Sequence, residues 1–155
     1  MPLDPPRPPP LRGLLWTDPC GNPQGRDPEA LMRSRYAAFA LGLGDYLVDT
    51  LASTHPDHES PRQELARALS RARERQRFLG LRILHTEEDE GGERGEVLFY
   101  ARIFERGHDV SFAELSTFVR EDGAWRYAEG VLVPGEKLPR DGEGLTRERF
   151  LALAR

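Results

Sequence analysis

The chain has 155 residues, 38% hydrophobic and 31% charged, with a net charge of −4. That is enough chain for one buried core, and the charge excludes a general attraction for nucleic acid or an anionic membrane. The single cysteine, Cys20, excludes an internal disulfide and a multi-cysteine zinc site. No apolar run approaches a membrane span and "LRGLLW" is too short for a signal-peptide core, so the expected location is the cytoplasm.

The first ten residues, "MPLDPPRPPP", hold six prolines, which fix φ, lack backbone donors and favour an extended polyproline II chain. Residues 1–26 therefore read as a disordered arm outside the core, or as upstream sequence behind a misplaced start codon, with Leu14, Leu15 and Trp16 available to pin it. The domain proper is expected from Asp27 to Pro134. Asp27 as N-cap, Pro28 at the first helical position and Glu29 in the first turn open a helix. Met32, Tyr36, Phe39 and Leu43 give it one apolar face, and Gly42 and Gly44 stop it. Asp45 is expected to cap a shorter helix carrying Tyr46, Leu47, Val48 and Leu51, which ends before His55-Pro56.

Ser60-Pro61-Arg62-Gln63 predicts a capping box and a third helix, buried along Leu65, Leu69, Ala72 and Leu79 and ended by Gly80. The period then changes to that of strands. "LRILHTEE", "EVLFYARIFE", "VSFAELSTFVR" and "WRYAEGVLV" are four strands, joined by polar turns, of which "EDGA" carries the positive-φ chemistry of a tight hairpin. Residues 135–155 are expected as a tail with a short helix, capped by Thr146 and stapled by Leu145 onto Phe150. Three helices followed by an antiparallel meander is an α+β plan, with helices on one face of a curved sheet. The strand from Glu96 to Glu105 has Val97, Phe99 and Ile103 on one face and Leu98, Tyr100 and Phe104 on the other. One face can pack on helices; the other predicts a homodimer through the outer side of the sheet.

"PEALMRSRYAAFALGLGDYL", the following "THP", "FLGLRIL" and "FVREDGAWRYAEG" resemble the middle domain of the YchJ-like family of uncharacterised bacterial proteins. The resemblance runs from about Asp18 to Gly130 and implies a nuclear transport factor 2-like (cystatin-like) cone. In such a cone, helices pack into the concave side of a bent antiparallel sheet and leave a pocket at its open end. Members of the family usually carry a SEC-C-type zinc knuckle beginning Cys-Pro-Cys-Gly; here Asp18-Pro19-Cys20-Gly21 stands in its place and no partner cysteines follow. The family's third strand tends to read His-Glu-Arg-Ser-x-Phe. Here Ala113-Glu114-Leu115-Ser116-Thr117-Phe118 keeps the Glu, Ser and Phe and lacks the His and Arg.

Glu114 is the leading candidate for chemistry, because it shares a strand face with Phe112, Ser116 and Phe118, an apolar setting for a carboxylate. The resemblance adds that many enzymes of this superfamily place an Asp or Glu inside the cone as general base. Arg33, Tyr36, Tyr46, His55, Ser116 and Trp125 are the residues expected around it. The competing expectation is an ion pair between Glu114 and an arginine of the first helix, Arg33 or Arg35, so that Glu114→Gln would cost about 2 to 4 kcal/mol. In "HPDHE", Pro56 separates His55 from His58, which favours a polar surface loop over a metal set; His85 and His108 read as solvated. Arg67, Arg71 and Arg75 form a basic helical face without the interleaved aromatics of a single-strand binder. The favoured function is a non-catalytic module that binds a small ligand or a protein partner, with no cofactor and no metal. The alternatives are a cofactor-free hydrolase, isomerase or dehydratase using Glu114, and, more weakly, an RNA-associated protein.

Overall fold

Asp27 does open the first helix in the computed structural model, which describes residues 27–155; the proline-rich arm, its apolar pin and the Cys20 remnant lie outside the described residues. Helix α1 (Pro28–Leu41) starts where the Asp27 carboxylate accepts the Ala30 N–H at 2.7 Å and ends at Gly42, whose φ of 73° supplies the left-handed cap. Its buried side includes Leu31, Met32, Ser34, Arg35 and Ala38, so Arg35 sits in the interior beside the expected apolar stripe.

Helix α2 (Gly44–Asp49) differs from expectation at its start. Asp45 is exposed and caps nothing; the Gly44 N–H donates to Ser70 Oγ at 2.9 Å, so the cap comes from the next helix. Ser60 does not cap either. A 3-10 turn, Pro56–Glu59, takes Ser60 as its extended end, and helix α3 (Arg62–Ser70) begins after Pro61 with no side-chain cap. The expected continuation to Leu79 is also corrected. After a single turn, α4 (Ala72–Arg75), the chain is already a strand at Gln76, and Leu79 is 42% exposed. The reason is tertiary: Gln76, Arg77 and Phe78 pair with Glu105, Phe104 and Ile103, and this ladder overrides the local helical pattern.

The strands are β1 (Gln76–Glu88), β2 (Arg94–Glu105), the two-residue β3 (His108–Asp109), β4 (Phe112–Glu121) and β5 (Ala124–Pro134). They form one antiparallel sheet in the order β1-β2-β4-β5, with β3 against β2. Asp122 and Gly123, at φ of 51° and 81°, make the predicted hairpin turn. The inner face carries Phe78, Val97, Phe99, Ala101, Ile103, Phe118 and Trp125 against Leu31 and Met32 of α1. A bulge in β5 follows Tyr127, and the chain between Thr50 and Ala52 adds a short bridge to that residue.

On the outer face, Leu98, Ala113, Leu115 and Val133 are covered by Leu145 and by Phe150 of α5 (Arg147–Ala154). Thr146 caps this helix as expected, accepting the Arg149 N–H at 3.2 Å. Of the three apolar residues behind the expected homodimer, Leu98 and Tyr100 thus meet the chain's own C-terminal segment, while Phe104 stays half-buried beside Arg102. Arg147 ties α5 to β2 through a fork, Nε to Glu96 Oε1 at 2.8 Å and Nη2 to Oε2 at 3.1 Å. That fork holds the Glu96 carboxyl below its ordinary value of 4.5. A depressed carboxyl contributes stability above its unfolded value and loses it as pH falls through the folded one. The expected result is that Arg147→Ala melts below wild type at neutral pH, and that the gap between the two narrows as the pH falls below the ordinary carboxylate range and the Glu96 carboxyl takes up its proton. A gap that persists unchanged in acid would show that the fork does not anchor the helix.

Candidate functional site

Between α1 and the inner face of the sheet lies a cavity of about 290 Å³. Its walls are mostly apolar, with Met32, Phe39, Phe78, Phe99, Ile103 and Phe112 among them, and one corner is polar. That corner is built from three elements. Helix α1 contributes Arg35, β4 contributes Glu114 and Ser116 at alternate positions, and β5 contributes Tyr127. The hairpin register places Tyr127 opposite Phe118 and so on the inner face, and the bulge beyond it brings Gly130 opposite Ser116.

Glu114 Oε2 accepts two hydroxyls, Ser116 Oγ at 2.6 Å and Tyr127 OH at 2.8 Å. Gly130 makes this possible: a Cβ there would collide with Glu114 Oε2 and stand 2.5 Å from the Tyr127 hydroxyl. Burial, the Glu114 charge and the bond to Glu114 together raise the Tyr127 hydroxyl far above the ordinary tyrosine range, so it stays protonated and donates. Arg35 is 7% exposed; its Nη1 donates to the Leu47 carbonyl at 2.8 Å and to Thr50 Oγ1 at 2.5 Å. Its guanidinium lies 4.7 Å from the Tyr127 ring centre. Burial brings its pKa down to about 10, against the opposing pull of Tyr127 and Glu114, and it remains a cation at neutral pH.

The expected ion pair of Glu114 with a first-helix arginine is corrected by this geometry. Among the described residues no arginine stands within 4.0 Å of the Glu114 carboxylate; its partners are hydroxyls, and Arg35 acts on it at a distance. Glutamine keeps an acceptor for both hydroxyls and loses only the charge facing Arg35. Glu114→Gln is therefore expected to cost about 1 kcal/mol rather than 2 to 4. A denaturant midpoint shift matching the larger figure would mean that a direct pair exists in solution.

Of the other expected residues, Tyr36, His55 and Ser116 line the cavity. Arg33, Tyr46 and Trp125 do not. Two residues along a helix turn the side chain through about 200°, so Arg33 points away from Arg35 and pairs with Glu29 at 2.9 Å on the surface. The Tyr46 hydroxyl bonds Ser34 Oγ at 2.6 Å behind α1. Trp125 is 1% exposed and packs in the core, with Arg120 over its ring at 5.0 Å. His55 Nδ1 accepts the Asp57 N–H at 3.0 Å, which leaves the proton of the neutral ring on Nε2, and burial holds its pKa below the usual value. His58 turns to the Ala52 carbonyl at 3.0 Å, and no cluster of three or more metal-ligating side chains occurs among the described residues. Arg62 and Arg75 of the basic segment face Asp49 and Glu105 at 2.5 and 3.9 Å, and Arg73 Nη1 donates to the Leu41 carbonyl at 2.7 Å.

The Tyr36 hydroxyl is buried without a hydrogen bond; the Gly80 backbone is beside it but lacks bonding geometry, and burial pushes its pKa up to about 12. Tyr36→Phe is expected to leave the fold intact and raise stability by up to about 1 kcal/mol. A loss of that size in thermal or denaturant melts would mean the hydroxyl has a partner.

The expected site lacks Tyr127, Gly130 and Asp57, and holds Arg35 only as a tie. For Tyr127 a signal exists: counting on from the Asp122-Gly123 turn sets it opposite Phe118. For Gly130 there is none, because its position depends on the bulge.

The cavity and its polar corner lie within residues 27–130, the span matched by the family model described as "YchJ, middle NTF2-like domain". Two UPF0225 proteins of Vibrio vulnificus, from strains CMCP6 and YJ016, are each 37% identical to the chain over 114 and 116 residues. These matches cover 72% and 74% of the chain and 64% of each relative, so the chain spans under two thirds of their length. The solution structure of a SEC-C motif containing protein from Rhodopseudomonas palustris is 41% identical, with a TM-score of 0.56 over 67% of this chain and 77% of that one. A crystal structure of a sec-c motif containing protein from Psychrobacter arcticus shares the fold at 23% identity and a TM-score of 0.56, covering 84% of this chain and 76% of its own. The chain belongs to the YchJ family, and its cone is that family's middle domain.

Proposed function

We propose that this protein is a cytoplasmic, non-catalytic module that binds a small, mainly apolar molecule inside the cone. The observation that carries the reading is a cavity of about 290 Å³ with aromatic and aliphatic walls and one polar corner, close to the lower size of small-molecule sites. Among the described residues no helix is long and apolar enough to cross a membrane.

Both hydroxyls bond the same oxygen of Glu114, which leaves Oε1 without a donor among the described residues. A general base needs such an oxygen, and this favours the enzyme reading as the alternative. A base alone is not a mechanism, however, and the neighbouring Tyr127, with its pKa raised, is a poor proton donor. Binding is therefore the function the geometry supports best.

The test uses a neutral naphthylamine dye whose emission rises in apolar surroundings. Saturable enhancement at one site per chain is expected from the wild type, with loss in Ala101→Phe, which fills the cavity from β2. Enhancement that survives in a folded Ala101→Phe protein would place the dye elsewhere and remove the reading.

A further inference from the structure

A buried guanidinium and a half-buried carboxylate face the cavity with part of their bonding capacity unused. Arg35 is 7% exposed and spends only Nη1 on protein partners; its Nε and Nη2 hydrogens have no acceptor among the described residues. Glu114 spends only Oε2, leaving Oε1 without a donor. Both line the cavity, and no ion pair joins them within 4.0 Å. The corner thus offers a hydrogen-bond donor and an acceptor across a gap, and its charges already balance. The unused atoms of both groups are therefore open to a molecule that enters the cavity, and a ligand head that meets both keeps the hydrogen bonds it gives up on leaving water.

From this juxtaposition we infer that the polar corner recognises an uncharged ligand head with an acceptor and a donor side by side: a primary amide, a lactam or a ureide on an apolar ring system. The carbonyl oxygen takes an N–H of Arg35, and the ligand N–H gives to Glu114 Oε1. A free carboxylate suits the site poorly. It would meet Arg35 but bring a second negative charge against Glu114 and leave Oε1 without a donor. An alkylammonium fails by the mirror argument at Arg35. Plain hydrocarbon fills the walls and leaves both polar groups unmet. Asp57, half exposed on the loop side of the cavity, adds a further bias against an anion. The inference rests on the ligand-binding reading and sharpens it to a chemical class.

Calorimetric titration of the full chain with 2-naphthamide, 2-naphthoate and naphthalene separates the outcomes, because the three share one apolar body. At neutral pH, 2-naphthamide is expected to bind at least tenfold more tightly than either of the others. In Glu114→Gln the naphthoate affinity is expected to rise about tenfold, since the opposing charge is gone while Arg35 remains. The wild-type ranking decides even if that variant fails to fold. Naphthoate binding as tightly as the amide would overturn the inference and make the corner an anion site. Equal affinity for all three would overturn it too, leaving a purely apolar pocket and the binding reading intact. If none of the three binds, naphthalene included, the underlying reading fails with it.

Discussion

Gly44→Ala is expected to cost on the order of 3 kcal/mol, although alanine is the better helix former by about 1 kcal/mol. Gly44 is the first residue of α2 and lies against the last turns of α3. A Cβ built there would overlap the Ala66 carbonyl oxygen and Ser70 Oγ, and stand 2.6 Å from the Ala66 carbonyl carbon. The obstacle is main chain, so it cannot be relieved by a side-chain rotation. To admit one methyl group, α2 and α3 must move apart, and the bond from the Gly44 N–H to Ser70 Oγ at 2.9 Å is lost with them. Its φ is not in the left-handed region, so the expected effect is steric rather than conformational. Denaturant melts of the wild type and the variant check it. An unchanged or higher midpoint for Gly44→Ala would mean that the two helices do not approach this closely.

That close approach also shows where sequence reading ends. Local signals place α1, its caps, the Asp122-Gly123 hairpin and the Thr146-capped helix, because each depends on a few neighbouring residues. Asp45 and Ser60 carry good capping chemistry and cap nothing, because a neighbouring helix and a 3-10 turn have already taken those positions. The third helix ends early for a similar reason, since Gln76 to Phe78 gain more from pairing with β2 than from one more helical turn. At the site, Glu114 and Ser116 are legible from strand alternation alone. Arg35 is not separable from Arg33 by pattern, since a buried arginine and a surface arginine look alike until the partners of each are known. Apolar residues on both faces of β2 suggest a partner chain on the outer side, and nothing local says that α5 packs over Leu98 there.

Arg35→Met is expected to cost about 2 to 3 kcal/mol, and to reverse the sign of what happens at Glu114. Methionine keeps much of the side chain's length and bulk while removing the guanidinium. The Leu47 carbonyl and Thr50 Oγ1 each lose a charged donor, and the Tyr127 ring loses the cation stacked 4.7 Å from its centre. The charge itself does not stabilise the fold, since burial brings the guanidinium down to about 10, so the loss comes from its bonds and from the group it faces. That group is Glu114, whose carboxylate would then sit in an apolar chamber with two hydroxyls and no cation nearby. In the wild type, Glu114→Gln removes a charge that balances Arg35 and costs about 1 kcal/mol. In the Arg35→Met background the same change removes an uncompensated charge and is expected to restore about 1 kcal/mol. Four denaturant curves, for the wild type, both single variants and the double variant, measure this coupling. Additive effects, with Glu114→Gln equally costly in both backgrounds, would show that the two residues act independently and that the corner is not a balanced pair.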